Sequence, residues 1–180
     1  MEQQLKGDLI DEMLDDDNED TQANKYLFFR IDTESYGIGI RHVIEIVELQ
    51  RISAVPDMPL YVKGVINLRG KVIPVVDLRL RFGMEERPYD DRTCIVVSEI
   101  EGVSLGFIVD TVEEVLEIPE AQVESAPRFK TVSGRERYIE GMGKVGATVK
   151  ILLDVEKLVR DEDIRAAATS VGAEPAAAAL

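Results

Sequence analysis

Two side chains of this 180-residue chain could pair as a nucleophile and its base: Cys94 and His42, its single cysteine and single histidine. A reactive thiolate needs a cation or base beside it and access to its substrate. Cys94 instead sits in the apolar run TCIVV, with no oxyanion loop legible nearby, so a buried small side chain is expected. A lone cysteine forms no internal disulfide, one histidine excludes every His-rich metal centre, and no ligand spacing surrounds either residue. Two glycine patterns imitate phosphate loops. Gly141, Gly143 and Gly146 spell GxGxxG, but the following ATVKILLD is β-branched, where the dinucleotide fingerprint requires a helix aimed at the pyrophosphate. Gly64, Gly70 and Lys71 approximate a P-loop, but with five residues between the glycines and Val72 where a magnesium-binding Ser or Thr belongs. The carboxylate pairs Glu113–Glu114 and Asp90–Asp91 are adjacent, and adjacent positions of an extended strand face opposite ways, so they are expected to diverge on a solvated surface. No catalytic, metal or cofactor site emerges, and the expectation is a binding module.

The elements point the same way. The run PLYVKGVINLRGKVIPVVDLRLRFG, from Pro59 to Gly83, reads as two branched apolar strands about the turn Asn67–Lys71, a hairpin with a guanidinium at its tip. Gly70 suits a positive φ there, and Pro74 confines the second strand to an edge or to a position without a ladder bond. Tyr26–Ile31 leads through a polar turn into Tyr36–Ile40, whose Tyr36, Ile38 and Ile40 share a face while Gly37 and Gly39 leave the other open to close backbone approach. Thr93–Ile100 and Val103–Val109 flank Glu101-Gly102, a two-residue turn, and Tyr138–Val145 and Thr148–Leu153 flank Gly146-Ala147. Arg41–Leu49 fits neither period and is read as a short helix entering a strand, while Asp77–Phe82 and Val155–Val159 read as short helices after strands. Many short strands at this spacing imply an all-β fold with a few short helices, a small barrel or a sandwich.

Composition bounds the rest. An apolar fraction of 45% supports one compact domain with a core. No apolar stretch approaches the ~20 residues that span a bilayer, and no basic leader precedes an apolar core, so a cytoplasmic location is expected. The net charge of −14 argues against nucleic acid as a partner. Residues 1–25 carry −7 of it and residues 161–180 carry −3, leaving the body nearly balanced, with Lys63, Arg69 and Lys71 free to act locally. In the acidic tail, Leu5, Leu9, Ile10, Met13 and Leu14 stand at helical spacing, but Gly7 and the acidic DDDNED end leave a marginal helix. Disorder is the expectation for that tail, with docking on the body or a partner as the alternative. The low-complexity stretch 161–180 is expected to fray and is left out of the fold.

The YVKGVINLRG stretch followed by VIPVVDLR resembles the CheW-like adaptor domains of bacterial chemotaxis. The likeness extends through YLFFRIDTESYGIGIRHVIEIV before it and GFIVDTVEEVLEI, APRF, YIEGMG and ILLDVEKLV after it, over roughly residues 26–160. The resemblance implies two interlocked five-stranded SH3-like barrels around a shared core, the first over about 26–90 and the second over about 91–160. It implies a non-enzymatic adaptor, recruited to membrane receptor arrays, that joins the helical cytoplasmic tip of a chemoreceptor to the regulatory domain of a CheA-type histidine kinase. By the same resemblance, an apolar receptor groove maps to Leu27, Ile40, Val43 and Val112, with Glu45, Lys63 and Arg69 at its rim. An amphipathic helix in an apolar groove suits that arrangement. Leu27 and Ile40 read equally well as core, and an ordinary solvated charge is the rival reading of Arg69. A kinase contact maps to Arg128 and Phe129, with a plug in a barrel end as the alternative for Phe129. The CheV type of adaptor is not expected, because too few residues follow position 160 for a receiver domain. A kinase scaffold in a non-swimming chemosensory pathway is the neighbouring alternative. A Cys94–His42 enzyme and a small-ligand barrel are the remaining rivals, the latter opposed by branched side chains that would fill the interior.

Overall fold

The computed structural model describes residues 22–125 and 135–170. Its strands are β1 (Lys25–Ile31), β2 (Glu34–Gly39), β3 (Val43–Glu48), β4 (Val62–Leu68), β5 (Lys71–Asp77), β6 (Cys94–Ile100), β7 (Val103–Val109), β8 (Thr111–Glu117), β9 (Val123–Ser125), β10 (Ile139–Val145) and β11 (Thr148–Leu153). Short helices follow two of them, α1 (Leu78–Arg81) and α2 (Val155–Val159), and α3 (Glu162–Ser170) ends the described chain. The all-β class with a few short helices holds, and the expected hairpins form. The ambiguous stretch after Gly39 is a 3-10 turn over Ile40–His42 that runs straight into β3.

The strands form a six-stranded sheet, β8-β1-β2-β11-β10-β9, and a five-stranded sheet, β3-β6-β7-β5-β4. Pairing is antiparallel except at β11–β2 and β5–β7, where distant hairpins join in parallel. The first strands of the chain therefore share a sheet with the last, and the two halves interlock. One core cluster spans both sheets, drawing Leu27, Phe29 and Ile38 from one and Val43, Val76 and Phe107 from the other.

The two sheets repeat each other in register. Tyr61–Phe82 aligns with Tyr138–Val159 without a gap. In both, the ladder slips one residue before a glycine, at Val62–Gly64 and at Ile139–Gly141. The amide after each second strand donates to a tyrosine carbonyl, Asp77 N to Tyr61 O at 2.7 Å and Asp154 N to Tyr138 O at 2.8 Å. Asp77 and Asp154 then cap α1 and α2 by accepting from the third backbone amide onward. Val75 pairs with Gly106 where Leu152 pairs with Gly37. The Arg81 guanidinium lies between the two equivalent tyrosines, 4.8 Å from the Tyr61 ring and 4.7 Å from that of Tyr138, and ties the hairpins together.

Three readings are corrected or sharpened. The open face at Gly37 is filled by the Phe28 ring and not by backbone: a Cβ there would lie 2.4 Å from Phe28 Cε1. Pro74 lies inside the sheet, since β5 sits between β4 and β7, and it is tolerated because the pairing with β7 begins only at Val75. The stretch from 161 onward is not frayed throughout, because α3 buries Ile164, Ala167 and Ala168. Their i, i+3, i+4 spacing makes one helical stripe, and alanine, the best helix former, has little side chain to reveal it. Residues 1–21, 126–134 and 171–180 lie outside the described residues.

Candidate functional site

Around the β4–β5 turn the sequence dictates an unusual backbone. The two strands leave two residues for the turn, and Arg69 and Gly70 both take positive φ, +52° and +86°. This twist suits a hairpin and is uncommon for an arginine. Asn67 holds it by accepting the Gly70 amide at 2.9 Å. Lys71 turns away and donates to Ser104 Oγ at 2.8 Å.

Opposite the tip runs β3, the edge of its sheet. Its ladder with β6 slips between Val43 and Glu45, so Ile44 is an extra, unpaired residue. The bulge turns Ile44 outward, 42% exposed, and aims Glu45 at the hairpin tip. Arg69 then grips that carboxylate with both guanidinium nitrogens, Nη1 to Oε1 at 3.0 Å and Nη2 to Oε2 at 2.7 Å. The Arg69 side chain is 77% exposed and that of Glu45 is 18%. An ion pair this exposed adds only about 0.2–1 kcal/mol to stability. Its two-point geometry instead fixes where a cation stands beside an apolar bulge.

The expected receptor residues divide into three groups. Glu45 and Arg69 meet directly. Lys63 stands at the far end of β4, about 20 Å from the tip at ~3.3 Å per residue, where it pairs with Glu86 at 2.5 Å and lies 6.0 Å from the Tyr89 ring. Leu27, Ile40, Val43 and Val112 are 0%, 1%, 5% and 4% exposed and belong to one core cluster. In the isolated chain they back the face and do not line its surface. Two apolar residues reach solvent beside the tip, Val72 of β5 and Ile44, and Ile44 was not singled out from the sequence. Its signal was present: a bulge inserts one residue, and this is why Arg41–Leu49 fits no single period. Arg128 and Phe129 lie outside the described residues.

The residues weighed for chemistry are dispersed. Cys94 pairs with Glu48 at one end of β3, whereas His42 precedes Val43 at the other, about 17 Å along the strand. Cys94 is buried and its Sγ lies 3.2 Å from the Arg92 carbonyl. His42 accepts from Arg41 Nε at 3.2 Å, and burial, then Arg41, hold its pKa below the usual value. Gly141 and Gly143 lie in β10, with Gly146 in the turn to β11, a hairpin and not a strand-to-helix junction. The expected divergence of Glu113 and Glu114 is overturned. A bulge in β8 at Glu113, the counterpart of Ile44, lets both approach Lys150 Nζ, at 3.8 and 3.4 Å. Burial, then its hydrogen bond to Asp77, raises the pKa of Tyr89.

Comparison with known proteins settles the kinship. The family model of the CheW-like domain matches residues 25–163. The chain belongs to the CheW-like family. It is 34% identical over 145 residues to the chemotaxis protein CheW of Klebsiella aerogenes, covering 81% of this chain and 87% of that one. It is 33% identical over 141 residues to CheW of Treponema pallidum, covering 76% and 82%. The crystal structure of the scaffolding protein TtCheW from Thermoanaerobacter tengcongensis superposes with a TM-score of 0.71 at 35% identity, covering 78% of this chain and 94% of that one. The fold and kinship are those of a chemotaxis scaffold, and no helix among the described residues is long and apolar enough to cross a membrane.

Proposed function

We propose that this CheW-like chain couples chemoreceptors to a CheA-type histidine kinase, holding the helical receptor tip against the β3 edge and the β4–β5 turn while it binds the kinase regulatory domain. It acts by assembly, without turnover, and is recruited from the cytoplasm to membrane receptor arrays. The observation that carries this reading is the Arg69–Glu45 clamp beside exposed Ile44, in which a tight turn and a bulge hold a cation and an apolar side chain at the edge of a sheet. A helix presents an apolar stripe flanked by charges, and this face offers the complement, with the cation fixing register. Glu45, Arg69 and Ile44 make the contact, Leu27, Ile40, Val43 and Val112 support it from the core, and Lys63 lies at its far margin. The kinase contact is assigned to Arg128 and Phe129. A contact of this size gives affinities on the order of micromolar. Co-sedimentation of the chain with receptor tip and kinase, scored for kinase activity, tests the reading. Ternary assembly with altered kinase activity is expected, and failure of the chain to join either partner would overturn it.

A further inference from the structure

The receptor-binding face proposed above is an edge strand with exposed apolar surface. Beyond Ile44, the side chains of Ile46 and Val47 are only partly buried, and β3 pairs with β6 alone among the described residues. Arginines border it along its length: Arg41 just before it, Arg69 at the bulge and Arg51 just past its end, the last with no ion-pair partner among the described residues. The chain enters the body beside this edge. Gln22 and Ala23 line one cleft with Arg41 and His42, where Glu140, Asp154 and Glu156 already face Arg41, and Tyr26 pairs with Gly39 at the start of the turn that becomes β3.

The segment that precedes the described residues has complementary chemistry. Residues 1–21 carry nine carboxylates against one lysine, and their large apolar residues Leu5, Leu9, Ile10, Met13 and Leu14 fall on one helical face. A helix this short is marginal in water, so its stripe gains most by covering an apolar surface. The reach suffices. Ten residues as helix span ~15 Å, close to the ~20 Å of a six-residue strand, and the eight residues from Leu14 to Gln22 extend to about 26 Å.

We infer that the acidic N-terminal segment docks on the β3 edge of its own chain, its apolar stripe over exposed Ile44 and its carboxylates toward Arg51 and Arg69, and so competes with the receptor helix. This regulation rests on the receptor reading above. Linkers of this length give effective concentrations on the order of millimolar, so a segment of only millimolar intrinsic affinity lowers apparent receptor affinity about 2- to 10-fold.

Two measurements test it separately. The chain has no tryptophan, so Leu9→Trp in the full chain is a single reporter that needs no receptor. Docking predicts blue-shifted emission shielded from iodide, and loss of both when Ile44→Asp is added. An iodide-accessible indole in the full chain overturns the proposal, as does a blue shift indifferent to Ile44→Asp or one appearing only at concentrations where the chain dimerises, since that places the segment elsewhere or on a second copy. In the second measurement, deletion of residues 1–21 tightens receptor-tip binding about 2- to 10-fold, and replacing the five stripe residues by serine, with every charge kept, gives the same gain. A gain from deletion but none from the serine variant shows mere repulsion by the tail and overturns the competition. Should neither form bind receptor, the receptor reading fails, while the reporter still decides the docking.

Discussion

Reversing the tip charge, Arg69→Glu, should uncouple the receptor without unfolding the protein. The clamp is worth about 0.2–1 kcal/mol, because the guanidinium is 77% exposed and solvent screens it. The backbone already accommodates φ +52° with a long side chain, so replacing one with another adds little strain. Placing a carboxylate against Glu45 adds repulsion of the same small order. The total, about 1–2 kcal/mol, lowers Tm by roughly 2–8 °C for a domain of this size. Binding responds differently, because a hydrogen-bonded charge that an interface covers costs about 2–5 kcal/mol when its partner is removed, a loss of at least ~30-fold in affinity. Titration of the receptor tip against wild type and Arg69→Glu, with thermal melts of both, measures the two quantities. The swap Glu45→Arg with Arg69→Glu separates the readings further: it rebuilds the pair and recovers stability, yet leaves the sign reversed and receptor binding lost. Unchanged receptor affinity in Arg69→Glu at native stability would refute the assignment of this tip. Restored affinity in the swap would show that the rigidity of the pair, and not its cation, is what the partner reads.

Further expectations follow from the interior. Lys150 is buried against the Phe28 ring, 4.7 Å from its centroid, and answers two carboxylates; Lys150→Met should cost about 1–3 kcal/mol in urea unfolding by leaving Glu113 with Arg30 alone, at 3.8 Å, with partial recovery on adding Glu113→Gln. Asp154→Ala should cost about 1 kcal/mol through its lost helix cap, and Asp77→Ala more, since Asp77 also accepts the Tyr89 hydroxyl at 2.7 Å; equal losses in denaturant melts would contradict the added role. His42 is held below its ordinary pKa, by burial first and Arg41 second, so the unfolded chain takes up the proton first as pH falls through ~6.5, and stability present above that value is lost below it. His42→Gln should flatten stability against pH in that window, as followed by melts between about pH 5 and 7.

What the sequence disclosed was what local chemistry decides. Glu101-Gly102 and Arg69-Gly70 reveal hairpins because few residues tolerate their dihedrals, and Asp77 and Asp154 before apolar runs mark helix starts. Pairing across the chain was not disclosed: nothing in Tyr36-Gly37 names Ile151-Leu152 as its parallel neighbour, and the register is chosen by a core assembled from both sheets. The site was half legible. Arg69 and Glu45 came through likeness to a family, but whether Val43 or Ile44 faced outward depended on a bulge, and one inserted residue exchanges the two faces.

The internal repeat explains why the proposed site falls in only one half of the molecule. Two of the four edge strands, β3 and β8, bulge at the same point of the repeat and bring forward a glutamate, Glu45 in one and Glu114 in the other. At β3 the bulged residue is apolar Ile44, and the cation that answers the glutamate stands at a hairpin tip in solvent. At β8 the bulged residue is Glu113, the hairpin tip holds Gly146 where the first has Arg69, and the answering cation is Lys150, placed inside the sheet where the first repeat has Ile73. The same backbone device thus presents charge outward in one half and seals it inward in the other. Arg69 is therefore expected to be sensitive to a partner and Lys150 to denaturant. Moving the cation, by Gly146→Arg with Lys150→Ile, should lower the burial of charge in the second half while leaving receptor affinity at its original value, because that bulge still lacks the apolar residue a helix would cover. A gain of receptor binding at this second edge would show that the cation alone defines the site.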